Sequence, residues 1–162
     1  MRARTASIRA AASAALVAGA AAWAPPSPAP MANTKFFKGS GSSTVLFNAS
    51  AGKFFEGSGS SKVLLNLSGT KAFGGSGSGS VLFNVSGSKV FRGSGASDCA
   101  FNISGGKVFE GSGSAKVLYN VSGTRLFRGS GSSDVACNWS GASPGTVELA
   151  AVVWLVEGGV RG

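Results

Sequence analysis

The chain repeats itself. From Lys35 to Ala142 it runs through six units of 18 residues with no insertion or deletion, starting at Lys35, Lys53, Lys71, Lys89, Lys107 and Arg125. The consensus is close to K-V-F-x-G-S-G-S-S-K-V-L-F-N-V-S-G-T. Equal spacing over 108 residues means one supersecondary unit, copied and then stacked or closed on itself.

Each unit holds two apolar pieces separated by turn chemistry. In the fifth, Lys107–Glu110 is followed by Gly-Ser-Gly-Ser-Ala, then by Lys116–Val121, then by Ser-Gly-Thr. Both pieces are too short for a helix, and the glycines between them would break one. β-branched and aromatic residues mark them as strands. The linkers have hairpin lengths, so an antiparallel meander of two strands per unit follows, roughly 12 in all. Strict alternation puts Val117, Tyr119 and Val121 in the core, with their equivalents Val63, Leu65, Leu67 and Val81, Phe83, Val85. The third position is Phe in every unit (Phe37, Phe55, Phe73, Phe91, Phe109, Phe127) and reads as a buried packing ladder.

The pattern breaks after the last unit. Ser143-Pro144-Gly145 is a turn, and residues 146–157 then form an almost wholly apolar segment. Thr146 as cap, Glu148 in the first turn and Gly158 at the end predict a helix. A helix apolar on every side must be buried on every side, and a closed ring of strands offers that place at its centre. A strand at a sheet edge is the competing reading of Val-Val-Trp-Leu-Val.

Units of the form N-[VI]-S-G-x-K-V-F-x-G-S-G-S, followed by a short apolar C-terminal segment, resemble the bacterial β-flower repeat proteins. The resemblance covers about residues 34–157. It implies a shallow symmetric barrel, similar in plan to the Tubby C-terminal domain, in which 12 strands surround a hydrophobic helix. The fold expected is therefore all-β: six repeats in a closed antiparallel barrel with a buried C-terminal helix. The rival is a parallel β-roll or solenoid with one 18-residue coil per turn. Gly93–Phe101 faintly matches the calcium-binding nonapeptide of such rolls. The ligand position is Asp only at Asp98 and Asp134, and is Lys at Lys62 and Lys116, which argues against calcium.

Residues 1–30 stand apart, with Arg2, Arg4 and Arg9, an Ala-rich run over 10–24 and a Pro-rich end. A secretory signal, a transit peptide and an over-extended reading frame whose true start is Met31 all fit. Export would place the protein outside the cytoplasm, and a start at Met31 would keep it inside. Each reading leaves one domain, residues 31–157. Cys99 and Cys137 replace large apolar residues of other units and read as small buried hydrophobes, too few for a disulfide framework or a thiolate metal site.

The N-x-S triplet of each unit (Asn48, Asn66, Asn84, Asn102, Asn120, Asn138) matches a glycosylation acceptor, but Asn and Ser before a turn glycine serve the turn itself. The chain has no His, and its Ser residues have no evident activating base, so no enzyme is expected. No cofactor, metal or nucleic acid is expected either. What remains is charge. The net charge is +9, and Lys35, Lys53, Lys71, Lys89, Lys107 and Arg125 recur once per unit. Closure would set them in a ring beside Gly-Ser loops able to form backbone N–H nests. The function this points to is a non-catalytic module binding anionic groups such as phospholipid headgroups. The alternative is an exported structural protein that self-associates at the cell surface.

Overall fold

The structure, a computed structural model, describes residues 31–158; the readings of residues 1–30 lie outside that range. Twelve strands close into one antiparallel barrel. The odd strands are β1 (Thr34–Lys38), β3 (Lys53–Glu56), β5 (Lys71–Gly74), β7 (Lys89–Arg92), β9 (Lys107–Glu110) and β11 (Arg125–Arg128). The even strands are β2 (Val45–Ser50), β4 (Val63–Ser68), β6 (Val81–Ser86), β8 (Cys99–Ser104), β10 (Val117–Ser122) and β12 (Val135–Ser140). Each strand pairs with its sequence neighbours, and β12 returns to β1 through Lys35↔Ser140 and Phe36↔Trp139. Sequential antiparallel pairing excludes the parallel roll. All Gly-Ser loops therefore lie at one end of the barrel and all Ser-Gly-Thr turns at the other.

Register sets the size. Lys35 lies level with Asn48, and Asn48 with Phe55, so each repeat advances two residues along the strands. That stagger implies a strand tilt of ~35° and a backbone radius of ~11 Å for twelve strands. Inward side chains alone would leave such a barrel hollow. The centre is filled by α1 (Thr146–Val156), entering at the turn end. An α-helix with its side chains is ~10–12 Å across, which matches the space within one layer of inward side chains. Leu149 through Trp154 are consecutively buried, so the helix is covered on every face as its composition requires. Gly145, not Thr146, is the N-cap, and no side chain caps the helix.

The inner wall is made by the second residue of each repeat unit (Phe36, Phe54, Ala72, Val90, Val108, Leu126) and the third of each even strand (Phe47, Leu65, Phe83, Phe101, Tyr119, Cys137). Ala72, the smallest of its column, pairs with Phe83, against which Trp154 packs at 5.0 Å between ring centroids. A helix has no sixfold symmetry, so the wall departs from repeat identity where the helix is bulkiest.

Two core expectations are corrected. A β-bulge interrupts alternation at the start of every even strand, as at Phe55↔Val63 followed by Phe54↔Leu65. The first residue of the strand (Val45, Val63, Val81, Cys99, Val117, Val135) pairs with the repeat Phe, and the bulged second residue turns to the core. Val117 and its equivalents are therefore outside the central core. So is the Phe row: the inner face takes position two, and position three faces outward. Phe91 and Phe127 are buried there and the other four half-buried, in a belt around the wall. Cys99 shares that belt and is half-buried, whereas Cys137 faces the core and is fully buried.

Candidate functional site

The six Asn residues bond to a loop from the next repeat rather than to their own turns. The Asn48 Nδ2 group donates to the carbonyls of Gly57 and Gly59 at 2.9 and 2.7 Å. Asn66, Asn84 and Asn102 do the same one repeat on, and Asn120 bonds Gly131. Asn138 reaches Gly39 and Gly41 at 2.7 and 2.8 Å, closing the ring across 99 and 97 residues of sequence. These bonds fold each Gly-Ser loop back against the outer wall. The first loop glycine has φ near +62° at Gly39, Gly57 and Gly111, a left-handed conformation that glycine adopts without steric cost. The amide that a glycan would use is thus committed to holding a neighbour.

The sequence-predicted cations are all exposed. Lys35, Lys53, Lys71, Lys89, Lys107 and Arg125 lie at or beside the start of the odd strands, so they ring the turn end on its outer side. At one repeat boundary Lys89 and Ser112–Ser114 line a shared groove of about 330 Å³ with Asn102 and Phe109. A ring lysine and a Gly-Ser loop do meet there.

The loop end carries a second set of charges that repeat-by-repeat reading did not single out. The last residue of an odd strand and the residue before the next even strand face each other across the loop. Four repeats place opposite charges there, with the sign swapped between repeats: Glu56–Lys62 at 2.5 Å, Arg92–Asp98 at 2.8 Å, Glu110–Lys116 at 2.7 Å and Arg128–Asp134 at 3.1 Å. The signal was legible as covariation six residues apart. The side chain at the bulge varies with it: Leu64 and Leu118 accompany Glu–Lys, while Ala100 and Ala136 accompany Arg–Asp. Asp98 and Asp134 are thus arginine partners. Glu157, just past the helix, accepts a hydrogen bond from the Tyr119 hydroxyl. Burial first, and then Glu157, hold the Tyr119 phenol well above its usual range.

The two ends differ in charge. Lys38, Lys62, Arg92, Lys116 and Arg128 at the loop end are balanced by Glu56, Asp98, Glu110, Asp134 and Glu157. Among the described residues, the turn end has the six ring cations against Glu148 alone. The N-terminus of α1 lies at the turn end too, and its dipole adds partial positive charge of the same sense.

A family model described as "6-fold beta flower protein" matches residues 36–152. No curated protein and no solved structure matches the chain. The family description names an architecture and no reaction or ligand.

Proposed function

The chain belongs to the 6-fold beta flower proteins, and on that premise we propose that it is a non-catalytic docking module whose turn end settles on an anionic surface, with acidic phospholipid headgroups as its target. The observation that carries this reading is the segregation of charge among the described residues: a loop end with five cations against five acids, and a turn end with six exposed cations and one acid. Scattered surface lysines would show no such asymmetry.

The magnitudes are adequate. A Lys or Arg near an acidic bilayer contributes about 1 kcal/mol. A ring of radius ~11 Å spaces six cations ~11 Å apart, beyond the Debye length of ~8 Å at 0.15 M salt, so neighbours repel little and each acts almost independently. The acids offer no free catalytic pair: four are in ion pairs and Glu157 takes the Tyr119 hydrogen bond.

The test is sedimentation with phosphatidylserine-containing vesicles. Wild-type protein should pellet at low salt and be released as salt rises. Changing Lys35, Lys53, Lys71, Lys89, Lys107 and Arg125 to Gln should abolish pelleting, while Lys62→Gln with Lys116→Gln at the loop end should not. Undiminished binding by the six-Gln protein would refute the reading.

A further inference from the structure

Sixfold order at the loop end fails in two repeats. The charge-pair positions hold Lys38 and Thr44 in the first repeat, and Gly74 and Ser80 in the third. Lys38 is consequently the loop-end cation with no carboxylate partner among the described residues; the other four are paired. Beside it lies a groove of about 360 Å³, within the range of small-molecule sites.

The groove has a structural cause. Its side toward the sixth repeat is Ala136, where the first, second, third and fifth repeats carry Leu, so the wall is thinner by a branched side chain at that point. Leu46, Leu64, Leu155 and Val156 supply apolar lining. Of the charged residues at its edge, Glu56 is held by Lys62 and Arg128 by Asp134, leaving Lys38 uncommitted. The corresponding groove around Ala100 is edged by Arg92, Glu110, Lys116 and Glu157, with every charged group partnered. One of two otherwise similar clefts thus combines an apolar floor with a free cation.

We propose that the groove beside Lys38 binds a single-chain amphiphilic anion, its tail against Leu46, Leu64, Leu155 and Val156 and its carboxylate or phosphate head on the Lys38 ammonium. The site lies at the end opposite the cation ring and does not rest on membrane docking.

Titration calorimetry of the full chain with decanoate, decyl phosphate and decanol tests it. One saturable site is expected for the anions, tightening about fourfold per added methylene until the groove is full. The anion bound more tightly identifies the head, fatty acid or phosphate monoester. Lys38→Gln should erase the preference for anions over decanol. Ala136→Leu should weaken binding tenfold or more. Because the larger side chain could crowd Arg128, a second variant (Arg128→Glu, Asp134→Lys, Ala136→Leu) rewrites these sixth-repeat positions with the residues of the second and should do the same with the melting temperature kept. The six-Gln turn-end protein should bind decanoate normally, so this site and the docking surface fail separately. Absence of saturable binding, equal affinity for decanol, or unchanged binding in both groove-filled variants would overturn the proposal.

Discussion

Asparagine is the residue that joins one repeat to the next. Asn84 spends both amide hydrogens on Gly93 and Gly95 at 2.9 and 2.6 Å, so Asn84→Ala leaves one partly buried and one exposed carbonyl without their donor. The expected cost is about 1–3 kcal/mol, read as a fall of several degrees in melting temperature. The recurrence of Asn was plain in the sequence, but its partner was not, because that partner lies in another repeat and is visible only once the strands are paired. Cys137 gives a second prediction. Burial pushes its thiol up from 9.0 to about 12, with Arg128 partly opposing. Below pH 9 both folded and unfolded chains keep the proton and the group contributes nothing. Between pH 9 and 12 only the unfolded chain releases it, so stability falls by up to about 4 kcal/mol across that window. Denaturant midpoints measured from pH 8 to 11 should decline, and Cys137→Val should flatten the decline below pH 10, above which the raised Tyr119 phenol lowers stability in the same sense.

At the scale of elements, the bulge decides what the side chains do. Short strands, their number and the apolar helix could all be read from spacing and turn chemistry, since those are local properties. The faces of Val117 and of the Phe row could not, because a bulge shifts the phase of a two-residue period and is created by pairing between strands. The loop-end ion pairs are exposed, so each is worth at most about 1 kcal/mol. Glu56→Lys should therefore change stability by no more than about 1 kcal/mol, and the exchange Glu56→Lys with Lys62→Glu should restore it, as chemical unfolding would show. The helix is the opposite case. Val152 is fully buried against the inner wall, and Val152→Asp places a carboxylate there with no partner. A loss of more than about 4 kcal/mol is expected, enough to remove the cooperative transition in a thermal melt.

The whole molecule is a ring that needs its centre filled and a cylinder whose ends differ. Closure follows from identical repeats and from Asn138 reaching back to Gly39 and Gly41; the helix follows from a radius that side chains alone do not fill. The polarity of the cylinder arises because the turn positions keep a cation in every repeat while the loop positions keep opposite charges in four of six. The ring residues were legible from their period, whereas the neutrality of the other end required knowing which charges face each other. The reading of function rests on that polarity, and the orientation of the bound protein tests it most directly. A fluorophore placed at Ser122 beside a turn, or at Ser80 at the loop-end charge-pair position, can be quenched by a quencher carried on the headgroups of phosphatidylserine vesicles. The account predicts strong quenching at Ser122 and little at Ser80. Equal quenching at both, or stronger quenching at Ser80, would contradict it.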